Sequence, residues 1–379
     1  MRILHIGKYY PPLFGGIERV NYDLVENLNK VTDCQVDELC FSHTVGNEHY
    51  YTPDNYKLFR IPIRAIKFST PIPIGFFSTY RKIRNNYDII HLHLPNPIAS
   101  LAPLLIPTRA KIILHWHSDI LKQKKLMLLY KPIQKMLLNK AERIIATSLN
   151  YSKASNYLKA YLPKVEVIPI GINDDYLQHS TEEIDRIRQK YKNKKIILSI
   201  GRLTYYKGFK YLIEAARYLK DDTIIIIGGS GELKDELEKY IKKLNVSTKV
   251  YLIGRIPQEQ MGAYYKAASI FCLPSIMKTE AFGVVLLEAL SMSLPIVACN
   301  IPGSGVNWVN RHKETGLNVP ICDARALAKA INEILANPTL CKTYAHNSRK
   351  RYEALFTRDT MINKTLKLYK DITSKSCIK

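Results

Sequence analysis

The run Thr223-Ile224-Ile225-Ile226-Ile227, closed by Gly228, constrains the fold more than any other segment of this chain. In a strand, successive side chains point to opposite faces, so four consecutive isoleucines require cover on both sides. That is the situation of a parallel sheet packed between helices, not of a half-exposed hairpin. Comparable apolar runs alternate with helical segments along the whole sequence. Strands are predicted over Arg2–Gly7, Val36–Phe41, Lys57–Ile61, Asp88–His93, Lys111–His115, Arg143–Thr147 and Val165–Ile168. The series restarts with Lys195–Gly201, Thr223–Gly228, Lys249–Ile253, Ser269–Leu273, Pro295–Cys299 and Gly316–Val319. The polar stretch from Asn173 to Lys195 interrupts the pattern and is predicted to hold an inter-domain connection. Asp359–Tyr369 reads as an amphipathic helix on its Met361, Ile362, Leu366 and Leu368 positions. With 379 residues, two α/β domains can each bury a core, and a cleft between them is expected.

No run of eighteen apolar residues spans a bilayer, and no signal peptide is evident. Seven cysteines (Cys34, Cys40, Cys272, Cys299, Cys322, Cys341, Cys377) include no C-x2-C pair, which argues against a disulfide framework and a zinc site. A cytoplasmic location is expected. The formal net charge of +23 is unevenly spread: residues 57–143 hold sixteen Lys/Arg against three Asp/Glu. Within that region Phe76-Phe77, Tyr80, Arg81-Lys82 and Arg84, then Lys122, Lys124-Lys125, Leu126 to Leu129, Lys131 and Lys135, mix basic and apolar residues. That composition suits an interfacial helix on an anionic membrane, so peripheral attachment to the inner face of the cell membrane is expected. A solvated basic face is the plainer reading of any single lysine. No nucleic-acid module accompanies the charge, so no nucleic-acid partner is expected.

Chemistry concentrates first in Glu280-Ala281-Phe282-Gly283-Val284-Val285-Leu286-Leu287-Glu288. Two carboxylates bracket an apolar segment, and a buried carboxylate needs partners. A helix starting near Gly283 would leave Glu280 in the preceding loop and Glu288 more than one turn inside. The N–H groups of Phe282 and Gly283 would then face outward at an end that favours anions. Hydroxyl acceptors beside a phosphate site suit a nucleotide sugar; two solvated glutamates on an amphipathic helix are the competing explanation. Ile270–Ser275 reads as a strand ending in a loop just upstream, and ligands of open α/β sheets bind at such strand ends.

Other segments repeat this strand-end placement. Gly15-Gly16 follows the first strand, where paired glycines let backbone approach a diphosphate; an ordinary turn is the alternative. Arg202 and Lys207 flank the turn after Lys195–Gly201, with Gly208 opening it, and would clamp a diphosphate. His117 and Asp119 follow Lys111–His115. His91, His93 and His115 lie nearby in sequence, but no carboxylate set joins them and no metal site is predicted. Gly228-Gly229-Ser230-Gly231 is an incomplete dinucleotide fingerprint. Gly254-Arg255-Ile256 ends the next strand and is predicted to line the base. Pro302-Gly303-Ser304-Gly305 opens a helix near the Glu280 loop.

Together the E-x7-E segment, Gly15-Gly16-Ile17-Glu18, His115-Trp116-His117-Ser118-Asp119 and Gly201-Arg202-Leu203 with Lys207-Gly208 resemble glycosyltransferase family 4. The resemblance runs nearly end to end. It implies the GT-B fold: an acceptor-side Rossmann-like domain over 1–172, a nucleotide-sugar domain over 173–358, and a C-terminal helix over 359–379 crossing back. It implies a retaining hexosyltransferase with His117 nearest the transferred sugar, Asp119 beside it, and Gly15 and Gly16 at the donor. Glu280 would orient the sugar, Glu288 would accept from ribose hydroxyls, and Arg202 and Lys207 would hold the leaving diphosphate. Gly254, Arg255, Phe282 and Gly283 complete the implied donor site, with Gly228 secondary. The family more often shows His followed directly by Asp; here Ser118 intervenes. Without a D-x-D motif no metal cofactor is expected. His117-Ser118-Asp119-Ile120 resembles polysaccharide mannosyl- and rhamnosyltransferases, which favours a GDP-sugar donor over a UDP-hexose and a lipid-linked or growing glycan as acceptor. An NAD-dependent oxidoreductase using the Gly228 loop, and a non-enzymatic anionic-polymer or membrane binder, are the alternatives.

Overall fold

The computed structural model describes residues 1–12, 15–30, 34–43, 48–52, 55–67, 70–120 and 124–374. Lys122 and Cys377 lie outside the described residues, as do the side chains of residues 124–127 and 129. The chain divides into two compact units: Met1–Ile170 with Arg358–Lys379, and Gly171–Thr357.

The first unit is built on strands β1 (Arg2–Ile6), β2 (Gln35–Ser42), β3 (Glu48–Tyr51), β4 (Lys57–Lys67), β5 (Thr70–Pro73), β6 (Ile89–Leu94), β7 (Lys111–Trp116), β8 (Arg143–Ala146) and β9 (Val165–Val167). Their order is β3-β4-β2-β1-β6-β7-β8-β9, with β5 on β4. The seven strands predicted from apolar runs are all present and pair in parallel. The two additional ones, β3 and β5, pair antiparallel with β4. Neither carries a continuous apolar run, which is why the sequence pattern passed over them. The helix Arg358–Ser374 belongs to this unit, packing against the helix Gly16–Leu28 and burying Met361, Ile362, Leu368 and Tyr369.

The second unit continues with β10 (Lys195–Ile200), β11 (Thr223–Gly228), β12 (Val250–Gly254), β13 (Ile270–Leu273), β14 (Ile296–Cys299) and β15 (Gly316–Val319). All pair in parallel, in the order β12-β11-β10-β13-β14-β15. Every residue of β11 is buried, as its isoleucine run requires. The stretch 173–195 lies inside this unit as the helix Thr181–Lys190, started by a Ser180–Glu183 capping box.

Each sheet has one topological switch point. From β10 the chain winds outward through β11 and β12, then returns to β13 on the other side of β10. In the first unit the same reversal separates β1 from β6. Loops at the carboxyl ends of such strand pairs diverge and leave a crevice.

Candidate functional site

In the second unit the residues singled out by the sequence converge at the β10/β13 switch point. Lys207 closes a short 3-10 turn, Tyr205–Lys207, after β10, and Glu280 lies in the loop after β13. Lys207 Nζ donates to Glu280 Oε2 at 2.6 Å, with both side chains about nine-tenths buried. Two glycines permit this. A side chain at Gly201 would stand 3.2 Å from Lys207 Cε, so the bare strand end lets the lysine cross to β13. Gly208, at φ +67°, would place a Cβ 2.1 Å from the Pro274 carbonyl, so only glycine fits where the turn meets the β13 loop. Ser275 Oγ donates to the same Glu280 oxygen at 2.9 Å, and Ser304 Oγ donates to the Glu280 carbonyl. Gly305 N–H donates to the Ala281 carbonyl at 2.7 Å, so the Pro302–Gly305 segment does brace this loop. Burial acts to lower the Lys207 pKa, but the Glu280 charge and Tyr206 more than compensate and hold it above the ordinary lysine value. The ammonium is therefore charged. Both side-chain bonds fall on Oε2; Glu280 Oε1 is bonded by none of the described residues.

The helix Val284–Ser291 starts after Gly283, which takes the left-handed conformation at φ 77° and has no side-chain cap. Its first N–H groups have no partner inside the helix. The Phe282 ring is buried against Trp308 and Phe356, so this residue offers only its backbone to a ligand. Glu288 lies one turn further on and is engaged: Tyr176 and Tyr265 hydroxyls donate to Oε1 and Oε2 at 2.6 and 2.5 Å. Arg202 is exposed at the end of β10, as is Arg255 after β12. Gly254 has φ +74° with open space where a Cβ would point. Gly228 and Gly229 serve packing. A Cβ on Gly229 would meet the Gly201 carbonyl at 1.9 Å, and one on Gly231 the Leu203 carbonyl at 2.4 Å. These glycines admit neighbouring backbone, not a pyrophosphate, which removes the basis of the dinucleotide-fingerprint reading.

In the first unit, Gly15 and Gly16 are exposed at the start of the helix Gly16–Leu28, after β1. Asp119 is tied into the fold: its Oδ1 accepts from Trp116 Nε1 at 2.9 Å and from Ser155 Oγ at 2.8 Å. That pins the segment following β7. His117 is buried, its pKa pushed down to about 3 by desolvation, so the ring is neutral.

Sequence separation hid what surrounds it. Parallel pairing places His5 of β1 opposite His91 of β6, and His93 of β6 opposite His115 of β7. Five imidazoles therefore share one sheet face: His5, His91, His93, His115 and His117. One ring nitrogen each from His91, His93 and His115, the three histidines the sequence groups but does not read as a metal site, lies within 4.8 Å of the others. Ring nitrogens in the cluster already meet in hydrogen-bonded contacts of 3.0–3.3 Å, which compete with any metal for the same lone pairs.

The basic region 57–143 needs one correction. Phe76 and Tyr80, placed on a membrane-facing surface by the sequence pattern, are buried in the core. Among the described residues, the exposed large apolar side chains of the region are Ile66, Ile72, Ile74, Leu105, Leu128 and Met136. No helix among the described residues is long and apolar enough to cross a membrane.

Known proteins share this chain's sequence pattern and its fold. Residues 14–176 match the model of Glycosyltransferase Family 4, and residues 180–351 that of Glycosyl transferases group 1. O-antigen chain mannosyltransferase C of Escherichia coli is 33% identical over 375 residues, covering 97% of this chain and 98% of that protein. The D-rhamnosyltransferase WbpZ of Pseudomonas aeruginosa is 29% identical over 94% of this chain and 92% of its own. The fold matches that of the sucrose-phosphate synthase of Thermosynechococcus elongatus (TM-score 0.79, 22% identity, 99% of each chain). It also matches Anabaena HepE in complex with UDP (TM-score 0.77, 18% identity, 98% and 100% covered).

Proposed function

Because this chain belongs to the family 4 glycosyltransferases, we propose that it is a retaining hexosyltransferase using a nucleoside-diphosphate sugar. The acceptor is a lipid-linked or growing polysaccharide, and the donor is GDP-mannose or a related GDP-sugar. The mannosyl- and rhamnosyltransferase relatives support that choice.

The observation that carries this reading is the buried Lys207–Glu280 pair at the β10/β13 switch point. Lys207 Nζ, held charged, stabilises the negative charge that grows on the departing diphosphate. Glu280 fixes that ammonium through Oε2 and offers Oε1 to a sugar hydroxyl. Arg202 reaches the diphosphate from solvent, and the Phe282 and Gly283 amides meet phosphate or sugar oxygens. Glu288, held by the Tyr176 and Tyr265 hydroxyls, is the carboxylate that accepts from the ribose hydroxyls. Gly254 and Arg255 line the base, and within the first unit Gly15 and Gly16 offer exposed backbone at the start of the helix Gly16–Leu28.

In the transfer, the bond from the anomeric carbon to the diphosphate oxygen breaks as that carbon bonds the acceptor oxygen. The acceptor proton passes to the leaving phosphate oxygen, on the same face of the sugar. Lys207, Arg202 and the helix amides supply the stabilisation that a divalent cation provides elsewhere, and no metal is required. His117 contacts substrate in the first unit.

A thermal-shift panel with GDP, UDP, ADP, CMP and NAD tests the donor site. A ligand at a hundred times its Kd adds about 2.7 kcal/mol. GDP is expected to raise the midpoint, and Arg202→Ala, an exposed position, to reduce that gain. A shift with UDP alone replaces the donor base; a shift with NAD alone overturns the reading.

We further propose that the enzyme works at an anionic membrane surface. Exposed Arg64, Lys67, Lys131 and Lys135 share their elements with exposed Ile66, Leu128 and Met136, and exposed Arg81 and Lys82 lie on the helix Phe76–Ile83 that follows exposed Ile74. Such mixed surfaces bind headgroups through charge and insert apolar tips. The protein is expected to co-sediment with phosphatidylglycerol-containing vesicles and not with pure phosphatidylcholine. Ile66→Asp with Lys67→Glu should weaken that binding; equal sedimentation with both vesicle types would exclude the charge-driven mode.

A further inference from the structure

The histidine cluster also fixes where its protons sit, and the assignment starts from a backbone amide. Gly7 N–H can only donate, and it donates to Glu38 Oε1 at 3.1 Å. Desolvation raises the pKa of the fully buried Glu38 well above its ordinary value and favours the neutral carboxyl. Oε1 accepts from both Gly7 and Asn21 Nδ2, the latter at 2.9 Å, and is the carbonyl oxygen of that acid. Asn21 therefore turns its own oxygen, Oδ1, toward His5 Nδ1 at 3.1 Å. Amide and imidazole protons are fixed together in such networks, and this Asn21 orientation sets the rest.

An acceptor facing His5 Nδ1 requires a proton on that nitrogen. The same N–H reaches His93 Nε2 at 3.1 Å, which must then be the unprotonated nitrogen of its ring. A neutral imidazole carries one proton, so His93 is protonated on Nδ1 and donates to His117 Nε2 at 3.0 Å. His117 is left protonated on Nδ1. On the other side, His5 Nε2 accepts from Tyr369 OH at 3.0 Å, and the Tyr369 oxygen accepts from His91 Nδ1. His91 Nε2 in turn accepts from His115 Nδ1 at 3.3 Å. The branch ends at His115 Nε2, a buried atom without a hydrogen-bond partner. All five rings are held neutral by burial, which the scheme requires.

We propose that Asn21, oriented by Glu38 and the Gly7 amide, sets the tautomer of His117 through the relay His5–His93–His117, so that His117 presents its Nδ1–H to substrate as a hydrogen-bond donor. The functional half rests on His117 being the substrate-facing residue of the first unit; the tautomer assignment does not. Asn21, His5 and His93 are positioning residues and touch no substrate themselves. His117 Nδ1 is bonded by none of the described residues, so its proton is available. Without the relay, His117 would relax toward the Nε2–H form that an unconstrained imidazole prefers, and would present a lone pair where a donor is needed.

Long-range proton–nitrogen correlation spectra of the full chain labelled with 15N-histidine read the tautomer directly. His117→Asn identifies the signal. In the wild type at neutral pH, His117 is expected to show a protonated Nδ1 and a bare Nε2; the reverse pattern overturns the proposal without need of any folded variant. In His93→Phe the His117 pattern should switch to Nε2–H. Turnover, followed as nucleoside diphosphate released from the sugar donor, should drop about tenfold while donor KM stays within about twofold. His93→Asn, whose amide N–H stands where Nδ1–H stood, should restore both the pattern and kcat. An unchanged His117 pattern in His93→Phe overturns the relay. A switched pattern with unchanged kcat keeps the relay and removes His117 from the substrate, which separates failure of this inference from failure of the reading beneath it.

Discussion

Lys207→Met is expected to lower turnover by about two to three orders of magnitude, the range seen when one preorganised donor to a developing anion is removed. The argument starts from burial. Lys207 and Glu280 are each about nine-tenths buried, 2.6 Å apart, and Ser275 Oγ supplies a further bond to the shared oxygen. A charge kept this dry interacts strongly with whatever charge forms beside it, because little water competes. Removing the ammonium has a second consequence: Glu280 is left as a buried carboxylate whose main partner is gone. Breaking a buried pair from one side costs about 3–5 kcal/mol, a large part of an ordinary domain's stability. Lost activity alone would thus be ambiguous, and the double variant Lys207→Met/Glu280→Gln resolves it. With both charges removed the second unit should regain most of its stability, since two neutral groups replace one orphaned ion. Turnover should stay low, since neither the ammonium nor the sugar-orienting carboxylate returns. Urea melts beside steady-state rates read the two effects separately. Wild-type turnover in Lys207→Met would take this residue out of the chemistry; recovered turnover in the double variant would make the pair a structural feature only.

How much of this was legible beforehand depended on sequence distance. The continuous Ile224–Ile227 run announced a doubly covered parallel strand, and β11 is that strand at the predicted bounds. Glu280 and Lys207 were findable because each follows a core strand and carries a local signature, although 73 residues separate them. The tyrosines that occupy Glu288 were not. Tyr176 and Tyr265 reach it from 112 and 23 residues away, and no periodicity links them. Asp119 stands beside His117 by family resemblance alone, and local pattern cannot see Ser155, 36 residues on, which shares its oxygen with Trp116. Phe76 and Tyr80 were misplaced for a related reason: basic and apolar residues at helical spacing describe an interfacial helix and a half-buried surface helix equally well. The histidine cluster depends wholly on register. Shifting β6 by one residue against β1 would turn His91 and His93 to the opposite face. His5, His91 and His117 look unrelated along the chain, and Tyr369 closes the group from the final helix.

The same cluster makes the first unit acid-sensitive at mild pH. Below pH 6.5 the unfolded chain binds protons on its histidines, whereas the folded chain refuses them until much lower pH. Desolvation lowers His5 to about 4 and His117 to about 3, and it lowers His91, His93 and His115 well below the ordinary value. For a group with a depressed folded pKa, stability is fully present above the unfolded pKa and is lost as pH falls. The window runs from 6.5 down to about 4 for His5 and about 3 for His117. At pH 5.5, His5 and His117 together lose roughly 3 kcal/mol, about 1.4 each. Glu38 works in the opposite direction. Its raised pKa means the folded chain holds a proton that the unfolded chain releases above pH 4.5, so acidification favours folding through this group. One carboxyl acts against five histidines, and the rings leave a net loss. A two-domain chain does not unfold in a single transition, so a global midpoint would blur the effect. Hydrogen exchange resolved by peptide, corrected for intrinsic rates, should show β1, β6 and β7 losing protection between pH 7 and 5.5, while β10, β11 and β13 change little. His93→Asn removes one buried titrating group and should flatten the slope for the first three strands. Equal protection of β1, β6 and β7 at both pH values would mean that the rings exchange protons with solvent in the folded chain, and the buried neutral cluster would have to be given up.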